Sequence, residues 1–409
     1  MNADPSLSLN ASHAPLHASL SHRLARRIFE PVLDRIDAGL VQGSLQATLP
    51  GGDVRMLGGR NPGPVAIVDL NRWRALARLA HSGSVGWYEA WAAGEWSSPD
   101  PVPLFDLFMR NRVTLGQAAR AKGVSRLAKR ARHALRRNHP RGASRNIHAH
   151  YDLGNAFYAA WLDPTMSYSS AMFTSPDQDL EAAQLAKTAA IIDRIGPADG
   201  ADVLEIGCGW GHLARTLADR GAKVTAITLS PGQFAHARAL SADVDWRLAD
   251  YRSLTGQFDA IVSVEMVEAV GQAYWPTFLD TIARCLKPGG RAAIQYISIA
   301  DDIFEHYAQS VDFIQRYVFP GGMLLSQGRF KALAQARGLV WTDQRDFGHD
   351  YAETLRRWRL AFDGAAQGRL PAGFDASFVA LWRYYLMYCE GGFMGGGIQV
   401  SQATLIKEP

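Results

Sequence analysis

Val203 to Gly211 reads VLEIGCGWG, an apolar strand that runs directly into Gly207, Gly209 and Gly211. Glycine lets the chain turn tightly and lets a ligand approach the backbone beside the first turn of a following helix. Working outward, helical and strand-like stretches alternate. The helix LEAAQLAKTAAIIDRI precedes VLEI. After it come KVTAITL, a helix through PGQFAHARAL, WRLAD, FDAIVSVE, a helix through YWPTFLDTIARCL, a turn at Lys287-Pro288-Gly289-Gly290, and RAAIQYISI. This alternation predicts an α/β fold with a doubly wound, mostly parallel, Rossmann-like sheet. Residues 301–372 read as a largely helical insertion. FDASFVALWRYYLMYCEGG reads as a late helix and GGGIQVSQATLI as a final strand.

Upstream the chain changes character. Residues 1–21 are rich in Ser, Ala and His and read as a disordered tail. Residues 22–106 read as a small N-terminal α+β domain. It holds an amphipathic helix (HRLARRIFEPVLDRIDAGL), strands at GSLQATLP and VRML about a Gly-rich turn, the strand PVAIVDL, a helix from about Asn71 and the aromatic-rich GWYEAWAAGEWSSPD. Residues 107–146 read as a basic helical linker, and residues 147–409 as the large α/β domain.

Charge is unevenly spread. Between Leu107 and Tyr151 there is no Asp or Glu but there are twelve Arg and Lys; taking these from the net +4 leaves −8 on the rest. A basic block on an otherwise acidic chain points to a polyanion partner, nucleic acid or anionic lipid. Within it Val124, Leu127, Ala128, Ala131 and Leu135 fall at helical spacing. Such a helix suits an anionic membrane surface, where each cation contributes about 1 kcal/mol. It equally suits a linker packing its stripe on a neighbouring domain.

The 409 residues, 47% hydrophobic and 20% charged, fit a folded protein with a substantial core rather than a disordered chain. No apolar run approaches the roughly 18 residues that cross a bilayer. The N-terminus lacks a basic start followed by an apolar stretch, which argues against a secretory signal. Three scattered cysteines, Cys208, Cys285 and Cys389, suit neither a disulfide framework nor a zinc cluster. The expectation is a cytoplasmic protein without a metal.

The order of features around the glycines is informative. An acidic residue at the strand end, then G-x-G-x-G, a second strand about 20 residues later and Asp250 after a third suit S-adenosylmethionine. The G-x-G-x-x-G spacing of a dinucleotide site is not matched. The bland alternative is a strand-to-helix turn with no ligand. The Lys-Pro-Gly-Gly turn before a strand also resembles class I methyltransferases.

The resemblance then becomes specific. From about His148 to Ile406 the chain resembles the cyclopropane-fatty-acyl-phospholipid synthases and the related mycolic acid methyltransferases. It does so through HAHYDLGNAFYAAWLDPTMSYSSAMF, VLEIGCGWGHLA, ITLSPGQ, ADYRSL, FDAIVSVEMVEAVG, YVFPGG and FGHDYAETLRRW, in that order. GSLQATLPGGDVRMLGG and GWYEAWAAGEWSSPDP look like the accessory domain of many such synthases. The resemblance implies that Tyr168 and Ser169 contact the methionine end of S-adenosylmethionine. Glu205, Gly207, Gly209 and Gly211 would shape its pocket, Thr228 and Gln233 would lie near the ribose, and Asp250 and Tyr251 would flank the adenine.

It also implies methyl transfer to the double bond of an unsaturated acyl chain. The resulting carbocation suits aromatic faces, for which Tyr168, Phe173, Tyr296, Tyr317 and Phe319 are candidates. A bound bicarbonate would act as base. Glu268, Tyr351 and the backbone of Ile297 match its site. Two positions depart: Ser170 replaces a frequent Cys, and Gln295 replaces a His of the well-known bacterial synthases. Both can donate hydrogen bonds to an anion, and both could redirect the cation to a methylene or methyl branch. Cys389 matches a cysteine once proposed as catalytic, although the chemistry needs no thiol. His148 and His150 are candidates for gating lipid entry or for a capping role.

The leading expectation is a peripheral enzyme at the inner face of the membrane, acting on unsaturated phospholipid acyl chains. Residues 110–145 would meet the anionic surface. The N-terminal domain is a candidate for dimerisation or lipid access. Alternatives are a methyltransferase acting on a small molecule or nucleic acid, and a lipid-binding protein without catalysis. No base-methylation motif of the N-P-P-Y type is present, so no nucleic acid partner is expected.

Overall fold

The computed structural model describes residues 20–116 and 153–409. In chain order, α1 (Leu20–Gly39) leads to β1 (Gln42–Thr48), β2 (Val54–Gly58) and β3 (Asn61–Asp69), followed by α2 (Arg74–Ser82), α3 (Ser84–Ala92) and α4 (Val102–Arg110). The second described stretch opens with α5 (Asn155–Ala159) and α6 (Leu180–Ile195). Then come β4 (Asp202–Ile206), α7 (His212–Asp219), β5 (Lys223–Thr228), α8 (Pro231–Leu240), β6 (Asp245–Leu248), β7 (Phe258–Val264), α9 (Trp275–Cys285) and β8 (Leu286–Ile299). It closes with α10 (Asp301–Ala308), α11 (Phe313–Tyr317), α12 (Gln327–Gln335), β9 (Leu339–Asp346), α13 (Gly348–Ala366), α14 (Ala376–Met394) and β10 (Ile398–Lys407).

Seven strands form one sheet in the order β6-β5-β4-β7-β8-β10-β9. β10 runs antiparallel to both its neighbours, and the remaining pairs are parallel. This is the expected doubly wound α/β sheet. Its central strand β4 is covered on both faces, so four of its five residues are buried and it reads as a continuous apolar run. Local chemistry sets the flanking helices. Asp179 caps α6 by accepting from Ala182 N, and Gly196 ends it at φ 83°. Ser230 caps α8 ahead of Pro231, whose fixed φ suits a first helical turn.

Two expectations need correction. Residues 301–372 are not simply helical, because β9 lies among them and forms a sheet edge. Its sequence, LVWTDQRD, is apolar only at its start and carries charges on its exposed second half. That suits an edge strand and hides the strand signal. The Lys-Pro-Gly-Gly segment is a bulge inside β8 rather than a turn before it. Phe258 pairs with Leu286, and the register resumes at Ala260 with Arg291.

In the N-terminal part, β1 pairs antiparallel with β2 and parallel with β3. Its apolar core continues without a break into α13 and α14. α4 lies so close to α14 that a Cβ on Gly391 would stand 2.5 Å from the Cβ of Phe105. Tyr88 packs on Phe313 at 4.8 Å between ring centroids. Arg110 and Arg112, at the start of the basic segment, are tied into the protein. Arg110 pairs with Asp106 and donates to Met394 O, and Arg112 pairs with Asp302. The rest of that segment from residue 117, with His148 and His150, lies outside the described residues. Among the described residues no helix is long and apolar enough to cross a membrane.

Candidate active site

Parallel sheets of this kind place ligands beyond the carboxyl ends of their strands, and a cavity of about 180 Å³ lies there. The ends of β4, β5 and β7 line it through Glu205, Gly207, Thr228 and Glu265, and the segment Met166–Ser169 closes one side. Thr228 donates to Gln233 Oε1 at 2.9 Å, joining the end of β5 to the first turn of α8. Tyr251 lines the cavity with its hydroxyl buried, and burial pushes that hydroxyl up to about 12.

The glycines divide the work. Gly209 lines the cavity at φ 53°, with no atom of the described residues within 4 Å of where a Cβ would stand. Gly211 instead faces the core, where a Cβ would meet Trp246 at 2.5 Å. Asp250 also turns away from the cavity, accepting from Arg252 in a close pair. Gly211 and Asp250 therefore shape the cofactor wall only from behind.

The donor set fits S-adenosylmethionine. Glu205 Oε2 and His212 Nε2 are buried against the cavity without a hydrogen-bond partner among the described residues, and the space above Gly209 is open to a ligand. Burial pushes the Glu205 carboxyl up to about 8 and the His212 imidazole down to about 4, so His212 is a neutral hydrogen-bonding group near pH 7. Lys187 is a residue the sequence reading missed. It is buried in the cavity wall, donates to Ser169 Oγ at 2.9 Å and faces Glu205, Glu265 and Asp163. Burial lowers its pKa. Its sequence signal was there: Ala183, Gln184, Lys187, Thr188 and Ile191 form the buried stripe of α6.

A second cavity, about 440 Å³ and mainly apolar, lies behind the first. Ile297 and Ile299 of β8, Tyr351 of α13, and Tyr385, Tyr388 and Cys389 of α14 line it. Ile36, Trp87 and Phe105 reach it from the N-terminal part. Tyr168, Glu265 and Ala269 line both cavities and mark where they meet. Of the five aromatic candidates, Tyr168 and Phe319 reach this cavity. Tyr296 does not: it alternates with Gln295 and Ile297 along β8 and packs against Trp341 on the opposite face. Phe173 lies under Arg357, and Tyr317 donates to Glu89.

The polar residues of the junction form one cluster. Glu265 was missing from the sequence reading, yet it is its centre. Tyr351 donates its hydroxyl to Glu265 Oε2 at 2.8 Å, while Gln295 Nε2 and the Ser170 amide donate to Oε1 at 2.8 and 2.9 Å. Glu268 accepts from the Ile297 amide, and its other oxygen is buried without a partner among the described residues. Burial and then the neighbouring Glu265 push Glu268 up to about 8. Ser170 is fully buried, turns its hydroxyl to Ala171 O and lines neither of the two cavities. The groups expected to hold bicarbonate are thus already engaged by the chain's own carboxylates. A further anion there would lack the donors that Glu265 already engages and would stand beside that carboxylate, so bicarbonate does not fit this arrangement. Cys389 faces the apolar cavity with its thiol pushed strongly up by burial and Asp312, which leaves no thiolate for nucleophilic work.

Comparison with known proteins agrees with this geometry. Residues 138–403 match the mycolic acid cyclopropane synthetase family. The tuberculostearic acid methyltransferase UfaA1 of Mycobacterium tuberculosis is 39% identical over 365 residues, 83% of each chain. The cyclopropane-fatty-acyl-phospholipid synthase of Escherichia coli K12 is 37% identical over 263 residues, 63% of this chain and 66% of that one. The crystal structure of mycolic acid cyclopropane synthase CmaA1 complexed with SAH and CTAB superposes with a TM-score of 0.61 at 30% identity, covering 64% of this chain and 98% of that chain. The chain is an S-adenosylmethionine-dependent methyltransferase and belongs to the mycolic acid cyclopropane synthetase family.

Proposed function

We propose that this enzyme adds a one-carbon unit to the double bond of an unsaturated acyl chain in a membrane phospholipid, closing a cyclopropane ring. The observation that carries the reading is the junction itself. An apolar, aromatic-walled cavity of about 440 Å³ shares a wall with the first cavity at Tyr168, Glu265 and Ala269. Bound S-adenosylmethionine supplies an electrophilic methyl group there. An alkene is a weak nucleophile, so the walls must hold it close and in line. Tyr168 is fixed for that task by its hydroxyl contact to Tyr385 at 2.9 Å and by packing on Trp358. The ring faces of Tyr385, Tyr388 and Phe319 supply quadrupoles for a carbocation, and the apolar wall keeps out the water that would trap it.

A second reading is a methylene- or methyl-branched product. Gln295 in place of the expected His supports it, as does the similarity to a tuberculostearic acid methyltransferase. The basic segment 110–145 supports docking at an anionic membrane face, with the N-terminal part in dimerisation or lipid access. The experiment is expression in a bacterium lacking its own cyclopropane synthase, with the membrane fatty acids read by gas chromatography–mass spectrometry. A new chain heavier by one methylene unit is expected, and its fragmentation separates ring from branch. An unchanged profile from folded protein that still binds S-adenosylmethionine would refute the lipid reading.

A further inference from the structure

We propose that Glu265 is the catalytic base of this enzyme, an internal carboxylate standing where the resemblance calls for a free bicarbonate. The inference rests on the acyl-chain reading above and concerns the fate of the proton. Glu265 lies at the one place where such a base is useful, on the wall of both cavities. It follows the end of β7 at φ 48°, a left-handed conformation that a non-glycine residue adopts at a cost of order 1–3 kcal/mol. The amide of Glu265 donates to Gln295 O at 2.8 Å, which holds the strained residue against β8.

The carboxylate is oriented from three sides, by Tyr351, Gln295 and the Ser170 amide. A relay of amides sets the direction of Gln295. Arg194 Nε donates to Gln402 Oε1 at 3.1 Å, Gln402 Nε2 donates to Gln295 Oε1 at 3.0 Å, and Gln295 Nε2 is left to donate to Glu265. The chain starts at a guanidinium and ends at a carboxylate, so each bond polarises the next. A carboxylate has about four lone-pair sites. Three donors therefore leave Glu265 room to accept one proton. The neighbouring Glu268 is raised by burial and by Glu265 itself, so the two acids do not both ionise. Burial raises the Glu265 carboxyl above its ordinary range, which suits a proton acceptor, while its three donors and Lys187 on the other cavity's wall oppose that rise.

The step balances without any added reagent. The π pair of the alkene forms a bond to the methyl carbon as the methyl–sulfur bond breaks with its pair left on sulfur, and positive charge appears on the neighbouring chain carbon. Glu265 then takes one proton from the transferred carbon. The released C–H pair closes the third side of the ring, and Glu265 leaves as a neutral acid that returns its proton to water after product departure.

The test uses full-length protein, unsaturated phospholipid vesicles and buffer freed of carbon dioxide. Wild-type turnover is expected to change less than twofold when bicarbonate is added. Glu265→Gln should lose about 100-fold or more in turnover, the usual weight of a general base. Glu265→Ala should lose as much and recover in proportion to added formate or bicarbonate, which fill the vacated space. SAH affinity, read by calorimetry, should be the same with and without bicarbonate for the wild type. Wild-type turnover that stops in carbon-dioxide-free buffer and returns with bicarbonate would overturn the assignment without requiring any variant to fold. So would a Glu265→Gln protein within threefold of wild type. Wild-type protein inactive on every unsaturated lipid tried would instead remove the acyl-chain reading, and this assignment with it.

Discussion

Gly209 and Gly211 are two residues apart, and the structure assigns them separable costs. Both sit at positive φ, 53° and 90°, so an alanine at either pays a left-handed backbone cost of about 1–2 kcal/mol. At Gly209 no described residue within 4 Å adds to it, and the new methyl group would stand at the wall of the cavity proposed for the cofactor. At Gly211 the methyl would stand 2.5 Å from the Trp246 indole, which is held by its Nε1 donating to Ser241 O at 2.9 Å. Forcing that ring aside adds an overpacking cost of about 1–3 kcal/mol. Gly211→Ala should therefore lose about 2–5 kcal/mol of unfolding free energy, and Gly209→Ala only about 1–2. SAH binding should rank the other way, with Gly209→Ala weakened tenfold or more, equivalent to about 1.4 kcal/mol. Urea unfolding and titration calorimetry on the two purified variants measure both quantities. A Gly209→Ala protein with wild-type SAH affinity would refute the placement of the cofactor over that glycine. A Gly211→Ala protein with an unchanged urea midpoint would refute the packing argument.

Three further outcomes are expected. Glu205 and Glu268 both rise from an ordinary 4.5 to about 8, so the folded protein holds protons that the unfolded chain has released. Their contribution to stability is whole below about pH 4.5 and is lost as pH rises toward 8, with a slope of up to about 1.4 kcal/mol per pH unit for each group. Glu268→Gln should flatten the fall measured by urea unfolding between those limits, and an unchanged slope would count against the buried acid. Arg359 binds Glu390 through two contacts, 2.8 and 3.2 Å, joining α13 to α14. Arg359→Met should cost about 3 kcal/mol by leaving that carboxylate buried and alone; replacing both partners with Met should cost less, and the reverse ranking would show that the pair is not the source. Cys389 should resist iodoacetamide at pH 8 in the native protein, since burial holds its proton in place. Rapid alkylation located by peptide mass spectrometry would reveal a thiolate that the packing argument does not allow.

Much of the sheet was legible because its signals are local. VLEI is buried on both faces and apolar but for Glu205, and the caps at Asp179 and Ser230 are short-range hydrogen bonds between neighbours in sequence. The edge strand β9 was not legible, since exposure of its second half removes the apolar alternation on which a strand is recognised. Motif order pointed to Gly207, Gly209, Thr228 and Tyr251, which the fold brings to one cavity. The second, apolar cavity was not legible, because its wall is assembled from β8, α13, α14 and the N-terminal helices, which only tertiary packing brings together. Tyr296 was misassigned for a reason the sequence contains. With Gln295 and Ile297 facing the site, the period of a strand turns Tyr296 to the other face.

Glu265 illustrates a different limit. In VEMVEAVG it stands three residues before Glu268, and nothing in that spacing ranks one acid over the other. The ranking comes from the register of the sheet. Val264 pairs with Gln295 across β7 and β8, so the residue after Val264 meets the side chain of Gln295 from the adjacent strand. α13 then brings Tyr351 from far along the chain to the other carboxylate oxygen. Glu268, one short turn on, receives a backbone amide and, among the described residues, keeps an unpartnered oxygen. Donor count separates the two acids: burial raises both, three donors and Lys187 oppose that rise at Glu265, and Glu268 has a single backbone donor against it among the described residues. That division follows from strand pairing, which is why chemistry so close in sequence becomes distinguishable only when the sheet is folded.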